Sequence, residues 1–266
     1  MNAIAPDTII APQARAFQLT PRKPAASHEE ERLHRRQRLA ATFRLFGRYG
    51  FDQGLAGHVT ARDPEFPERY WINPLGVHFS QIRTSDLQLV DHDGNILIGN
   101  RPINTAGFTI HSALHKARPD VIAAAHTHST YGKAFSALGT PLLPLTQDSC
   151  AFYDDHALFN PFSGVVLDDS EGEKLAQTLG NRKAIILQNH GLLTVGNSVE
   201  AAAWWFITMD NAAHAQLLAQ AAGTVKPIAP DVARKTASQV GSDLGGYFSF
   251  QPLWDWIVAQ EPDLLD

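Results

Sequence analysis

Two apolar stretches of the chain have histidines at or next to their C-terminal ends, at positions that suit a metal site. The first, Val121–His128, finishes in His-Thr-His. Side chains two residues apart on a strand point to the same face, so His126 and His128 are expected to project together. The second stretch, Ala184–Gly191, delivers His190 just before a glycine at a predicted turn.

Three imidazoles on neighbouring strand ends would offer a metal ion three nitrogen ligands and leave one or two positions open. A catalytic Zn²⁺ ion uses this arrangement, with metal–nitrogen bonds of about 2.0–2.1 Å. The spacing alone also allows an alternative, in which the three histidines are unrelated surface residues at loop mouths.

Composition limits the classes of protein that fit. The chain has 266 residues, of which 44% are hydrophobic and 18% charged, as in a globular α/β domain with a sizeable core. The formal charge of −5 argues against nucleic acid or an anionic membrane as partner. The single cysteine, Cys150, excludes an internal disulfide and suits a reducing compartment. No apolar run reaches the length of a membrane span, so we expect no membrane partner and a cytoplasmic location.

The chain divides into a short arm and one domain. Residues 1–26 mix Ala, Pro and scattered charge without periodicity, which predicts a flexible N-terminal arm. The domain, residues 27–266, begins with a helix capped by Ser27 and includes a C-terminal helical tail. A second cap at Ser198 begins the longest predicted helix, which ends before Gly223.

Shorter elements lie between these helices. The glycine-spaced loop Gln53–Ala61 runs into a strand and carries His58 at its centre. Either this is a tight turn or its backbone N–H groups face a ligand. Further short strands are predicted at Tyr70–Pro74, Leu87–Val90, Ile96–Ile98 and Leu143–Leu145.

A predicted helix, Ala106–Ala117, carries His111 and His115 one turn apart. The glutamate that gives metalloproteases their base is absent from this spacing. We expect His111 to face the core or the mouth of the site and His115 to be solvated. The loop Gln147–His156 holds several titratable side chains, among them Tyr153, as functional loops often do.

These motifs, taken in order, resemble the class II aldolase/adducin family. The matching stretches are Gly57–Thr60, Asn73–Gly76, Ala117–Val121, His126–Ser129, Leu145–Tyr153 and Asn189–Gly191. The resemblance implies a three-layer α/β/α domain with a central, mostly antiparallel sheet. It also implies a homotetramer with active sites between subunits. The family's metal ligands correspond to His126, His128 and His190, with Zn²⁺ the expected ion and Mn, Co or Fe as alternatives.

Two positions depart from the family pattern. Gly107 stands where family aldolases carry an acid/base glutamate, a group worth roughly 10²–10⁴ in rate. Leu75 stands where sugar-phosphate aldolases carry a phosphate-binding serine. Both departures argue against a sugar-phosphate aldolase and favour the adducin-like branch of the family.

The sequence therefore predicts a metal-dependent lyase acting on a small unphosphorylated hydroxy or keto acid, by decarboxylation or aldol cleavage. His58, Asn73 and Gly76 are predicted to orient the substrate, and Tyr153 or His111 to return a proton to carbon. Two alternatives remain. One is an Fe(II)-dependent oxidative decarboxylase on the same three histidines. The other is a non-catalytic, adducin-like oligomeric scaffold.

Overall fold

The structure is a computed structural model that describes residues 20–160, 162–165 and 168–266. Most of the predicted flexible arm, residues 1–26, lies outside this range. Residues 20–26 have no regular helix or strand, and Arg22 forms an ion pair with Glu31 of the first helix.

A single mixed sheet forms the centre of the described chain. Its strands are β1 (His58–Arg62), β2 (Arg69–Ile72), β3 (Gln88–Asp91), β4 (Ile96–Ile98), β5 (Ala123–Thr127), β6 (His156–Phe159), β7 (Ala184–Leu187) and β8 (Gly191–Gly196). Their spatial order is β4-β3-β2-β1-β5-β8-β7-β6. Only the β6–β7 pair is parallel, which confirms the predicted, mostly antiparallel sheet.

Helices cover both faces of this sheet. They are α1 (His28–Arg48), α2 (Thr105–Ala117), α3 (Thr130–Ser136), α4 (Asp169–Leu179), α5 (Val199–Ala222), α6 (Pro230–Val240) and α7 (Asp243–Gln260). The predicted caps of α1 and α5 are present, since Ser27 accepts from Glu30 N–H and Ser198 from Ala201 N–H. Within the described part of the chain, no helix has the length and apolarity needed to cross a membrane.

Two apolar cores separate the three layers. On one face, α1, α5 and α7 bury a core that includes Phe43 and Trp205. On the other face, α2 and α4 bury a smaller core that includes Ile110 and Leu175. The predicted three-layer α/β/α class is therefore confirmed.

The alternation of side chains along β5 decides which helical layer His126 faces. Ala123 and Ala125 pack in the α1/α5 core, whereas Ala124 packs in the α2/α4 core. His126 is two residues beyond Ala124, so its side chain points toward α2. The same period places His58 on the α2 side of the neighbouring strand β1.

The sequence misplaced one strand. Leu143–Leu145 is not a strand, because the N–H of Leu143 bonds to the side chain of Gln216 at 2.8 Å rather than to a neighbouring strand. Two observed strands were not predicted: β8, which follows the glycine turn, and β6, which begins at His156, the last residue of the predicted loop Gln147–His156. That loop also contains a 3₁₀ turn, Asp148–Phe152.

Candidate metal centre

The three predicted ligands meet at one end of the sheet. His126 is the penultimate residue of β5 and pairs with Leu193 of β8, and the β7–β8 hairpin turns back through His190. The turn needs unusual backbone angles, with Asn189 at φ +58° and Gly191 at φ +157°. A Cβ at Gly191 would lie 3.1 Å from a backbone oxygen of β5, so glycine lets the hairpin approach the histidine strand closely.

The ligand nitrogens of the three histidines converge. Those of His126, His128 and His190 all lie within 4.8 Å of one another, and the Nε2 atoms of His128 and His190 are 2.9 Å apart. This is the only such group of three or more His, Cys, Asp or Glu side chains among the described residues. The three nitrogen donors fit a divalent ion of the zinc or iron type with open positions for substrate.

Local contacts prepare these imidazoles for a metal. Nδ1 of His126 lies 2.8 Å from the carbonyl oxygen of Leu192 and donates to it, which leaves Nε2 with the free lone pair that a metal needs. Burial and the neighbouring His128 lower the pKa of His190 to about 4. Burial also lowers the pKa of His126 far below its usual value. The ligands are therefore neutral at neutral pH, as metal binding requires.

The three-histidine group, His126, His128 and His190, forms one side of a cavity of about 410 Å³. The other lining residues are mainly apolar or uncharged: Leu55, Ala56, Gly57, His58, Asn104, Ala106, Ile110, Phe162, Gly164, Val165 and Asn189. Lys133 is the one Lys or Arg in the described lining. It contacts Gln53, and its charge adds to burial in lowering the pKa of His128. The cavity thus combines an apolar wall with a single cation.

His58, predicted to orient a substrate, lies beside the three-histidine group. It is the direct cross-strand partner of His126, with ring centroids 5.0 Å apart, and it lines the cavity. Its ring fills the space in front of Gly107, where a Cβ would lie 2.3 Å from Cδ2 of His58. The imidazole therefore occupies room that a glutamate at position 107 would need.

His111 is fully buried behind His58 and does not line the cavity. Its Nε2 lies 2.8 Å from Nδ1 of His58, so it acts on the cavity only through that ring. The predicted solvation of His115 is wrong, because this residue is 1% exposed. Its ring stacks on Tyr70 of β2, with centroids 5.0 Å apart.

The remaining predicted residues, Asn73, Gly76 and Tyr153, are not among the described lining residues of the cavity. Asn73 follows β2 and is 8% exposed, and Gly76 lies in an exposed turn with φ +80°. Neither lines the cavity. Tyr153 precedes β6, whose first residue pairs with Ala184 at the start of β7, whereas His190 follows the end of β7. Within one chain, Tyr153 is therefore at the opposite end of the strand from the site.

Two functional candidates were missed by sequence reasoning. Thr60 accompanies His58 on the same face of β1 and bonds to His111, a contact that the two-residue spacing could have suggested. Lys133 enters the cavity from α3, five residues after His128. No local pattern separates this lysine from a solvated one.

Comparison with known proteins assigns the family. Residues 37–217 match the family described as "Class II Aldolase and Adducin N-terminal domain". The chain belongs to the class II aldolase/adducin family. Its fold follows the L-fuculose 1-phosphate aldolase from Glaciozyma antarctica PI12, with a TM-score of 0.86, 45% identity and coverage of 93% of this chain and 97% of that one.

Two similar relatives are described as enzymes acting by decarboxylation or oxygenation. The 4-hydroxy-3-prenylphenylpyruvate oxygenase/4-hydroxy-3-prenylbenzoate synthase of Streptomyces roseochromogenus subsp. oscitans is 48% identical over 90% of this chain and 87% of its own. Decarboxylase NovR of Streptomyces niveus is 48% identical over 90% of this chain and 89% of its own. Class II aldolases depend on a divalent metal, and the three-histidine group of this chain fits that requirement.

Proposed function

We propose that this class II aldolase family member is a metal-dependent carbon–carbon lyase that decarboxylates a small, unphosphorylated keto or hydroxy acid. The convergence of His126, His128 and His190 carries the proposal. Three neutral imidazoles hold a divalent ion while leaving positions for two substrate oxygens. Zn²⁺ is the expected ion, with Mn, Co or Fe as alternatives.

The bound ion would supply Lewis acidity, which stabilises negative charge on a substrate oxygen when a carbon–carbon bond breaks. In a 3-keto acid the carbon–carbon bond to the carboxylate breaks and CO₂ leaves. The electron pair of the broken bond is delocalised onto the keto oxygen as an enolate. A proton from water then restores the carbon. His58 is placed to accept a hydrogen bond from a substrate hydroxyl or from that water. His111 and Tyr153, the groups predicted for this proton, do not line the cavity within one chain.

The cavity wall supports an apolar or aromatic substituent on the acid. Leu55, Ile110 and Phe162 line it, together with Lys133 as the only Lys or Arg among the described lining residues. One cation suits one carboxylate, whereas a sugar phosphate would leave its dianion without a second partner. The Streptomyces roseochromogenus relative, named for an aromatic keto acid, supports the same substrate class, and the relative named a decarboxylase supports the reaction.

Fe(II)-dependent oxidative decarboxylation of a 2-keto acid is the second candidate. One observation favours it: a relative at 48% identity is named an oxygenase. Neutral imidazoles also accept Fe(II). Here O₂ is the oxidant, and its consumption accompanies CO₂ release.

We also propose a homotetramer with active sites between subunits. The apolar edge strand β4 supports a subunit contact, since Ile96, Leu97 and Ile98 are 39%, 44% and 51% exposed. Tyr153 of the same chain does not line the cavity, so a Tyr153 near the cavity would have to come from a neighbouring chain. An adducin-like scaffold needs oligomers as well, but it gives no reason for three convergent, neutral imidazoles.

The test is elemental analysis of the purified, untagged protein, with His126→Ala as the variant and the exposed His28→Ala as its control. About one Zn, Mn, Co or Fe per chain, retained in His28→Ala and lost in His126→Ala, supports the site. Release of CO₂ from aromatic 2- and 3-keto acids, with and without O₂, then separates the two reactions. A protein that neither contains nor takes up metal contradicts both the lyase and the oxidative decarboxylase, and it favours the adducin-like scaffold.

A further inference from the structure

Asp210 is an acidic side chain buried in the middle of α5. The residue is 3% exposed, and its neighbours on the helix include the core residues Phe206 and Met209. Removing a carboxyl group from water is costly unless new hydrogen bonds replace those it loses. The replacement comes from another helix, because Oδ1 of Asp210 accepts from the N–H of Gly132 in α3 at 2.9 Å.

This bond caps the start of α3. The first N–H groups of a helix have no partner within it and need an outside acceptor. Ser129 occupies the N-cap position, yet its side chain gives α3 no capping bond. Asp210 supplies the acceptor from α5, at the third residue of the helix, which a capping side chain usually serves. One turn further along α5, His214 stacks on Tyr131 of α3, with ring centroids 3.4 Å apart and planes 7° apart.

The start of α3 is connected to two of the candidate metal ligands. The helix begins two residues after His128. Its Gly132 lies against β8, where a Cβ would be 3.0 Å from Cγ of Leu192. The carbonyl oxygen of Leu192 accepts from Nδ1 of His126 at 2.8 Å. A shift of this end of α3 would therefore move His128 directly and His126 through Leu192.

The other end of α3 is connected to the third ligand. The carbonyl oxygen of Ser136, the last residue of the helix, accepts from the N–H of Asn189 at 3.2 Å. Asn189 immediately precedes His190 in the turn between β7 and β8. α3 is thus a common support for three histidines that come from two distant parts of the chain, and α5 holds the start of this support.

We propose that Asp210 is a positioning residue for the metal centre: by capping α3 from α5, it fixes the helix that supports the three-histidine group. Asp210 is not among the described lining residues of the cavity, so it acts only through α3. This inference rests on the proposed function, since it assigns the three histidines to a metal ion. The capping bond itself is a property of the folded chain and is measured without metal.

The cap requires an acceptor oxygen rather than a negative charge. Burial raises the pKa of the Asp210 carboxyl, so its surroundings stabilise the charged form less than water does. The neutral amide of asparagine offers an acceptor oxygen in the same position. Asp210→Asn and Asp210→Leu keep nearly the same side-chain shape, and only the first keeps the acceptor.

Gln216, also on α5 and 1% exposed, provides a matched control. Its Oε1 accepts from the N–H of Leu143 at 2.8 Å, so it too bonds to a backbone amide of another segment. Leu143 is not among the described lining residues of the cavity. Gln216→Met therefore removes an equivalent buried acceptor, at nearly constant volume, without removing a bond to α3.

The experiment measures the Zn²⁺ affinity of the full chain by competition with a chromophoric chelator, at a temperature well below unfolding. Wild type, Asp210→Asn and Gln216→Met are expected to bind with similar Kd. Asp210→Leu is expected to bind about tenfold more weakly, as loss of supporting bonds around metal ligands does elsewhere. The proposal is overturned if Asp210→Leu binds like wild type, if Gln216→Met weakens binding equally, or if Asp210→Asn binds as weakly as Asp210→Leu.

A second measurement tests the cap in the metal-free protein. Amide hydrogen exchange, followed by NMR, reports the protection of the N–H of Gly132. This protection is expected in wild type, Asp210→Asn and Gln216→Met, and it should fall by about tenfold in Asp210→Leu. An unprotected Gly132 in wild type overturns the proposal. If Asp210→Leu does not fold, Asp210→Ser replaces it, because the serine hydroxyl is too short to reach the amide.

Failure of the proposed function and failure of this inference give different results. A wild type that takes up no Zn²⁺ contradicts the proposed function and the role of Asp210 at a metal centre, while exchange at Gly132 still decides whether Asp210 caps α3. A wild type that binds Zn²⁺, with an unchanged Kd in Asp210→Leu, keeps the proposed function and overturns the positioning role.

Discussion

A Cβ on Gly107 would lie 2.3 Å from Cδ2 and 2.8 Å from Nε2 of His58, closer than a Cβ atom approaches a neighbouring heavy atom in a folded protein. Gly107 is the third residue of α2, where its N–H bonds to the capping side chain of Asn104. Glycine there costs roughly 1 kcal/mol of helix stability relative to alanine. The imidazole of His58 is the structural reason for that glycine.

Gly107→Ala is expected to displace the His58 ring and to lower kcat at least tenfold, while the helix becomes more stable. Gly245→Ala is the matched control, because Gly245 is also the third residue of its helix and bonds to its cap, Ser242. Its Cβ would meet nothing closer than 3.2 Å. Thermal unfolding and turnover are measured for both variants. Retention of full activity in Gly107→Ala would show that the position of His58 does not matter.

Local pattern predicts that three histidines, His126, His128 and His190, stand at or just after strand ends. His126 and His128 follow from the two-residue period of a strand, and His190 from an apolar run that ends at a glycine turn. Their meeting depends on β8 pairing with both β5 and β7, and neither this strand nor its pairing is predicted by a local signal.

Long-range packing accounts for the errors. The sequence predicts a solvated His115, yet Tyr70 of β2 stacks on its ring. Leu143–Leu145 has the apolar character of a strand, but a side chain of α5 takes its first N–H. The contact between His58 and Gly107 joins a strand to a helix that begins after three further strands, and no local periodicity encodes such a contact.

Removal of the metal is expected to lower the unfolding temperature. A ligand present at a thousand times its Kd stabilises the folded state by about 4.1 kcal/mol. Thermal scans before and after treatment with a chelator should therefore differ in wild type and in His28→Ala. His126→Ala should have the same unfolding temperature before and after treatment with the chelator. A chelator-sensitive His126→Ala would place the metal elsewhere.

Acid should destabilise the metal-free protein below pH 6.5. Burial lowers the pKa of His58, His111, His115 and His126 well below the value of about 6.5 that an unfolded chain has. As pH falls through 6.5, these histidines bind protons in the unfolded state but not in the folded state, so the free energy of unfolding decreases. The loss is about 1.4 kcal/mol per pH unit for each histidine that stays neutral.

Urea unfolding of the metal-free protein at pH 7.5 and 5.5 measures this slope. His115→Phe should reduce the slope by about one proton, because it removes one of the buried groups. Thr42→Val, which removes no titratable group, provides the control and should leave the slope unchanged. Equal stability of the wild type at the two pH values would mean that these histidines are protonated when folded.

Lys133→Met is expected to raise KM for an acid substrate by about tenfold or more, since it removes the only Lys or Arg among the described lining residues of the cavity. Methionine keeps the length and apolar stem, so metal content should not change. Lys116→Met, on the exposed side of α2, is the charge-matched control. Binding of the acid and of its uncharged amide is compared by calorimetry. Only the acid should lose affinity in Lys133→Met, because the lysine charge has no partner on the amide. An equal loss for both ligands would assign Lys133 a packing role instead.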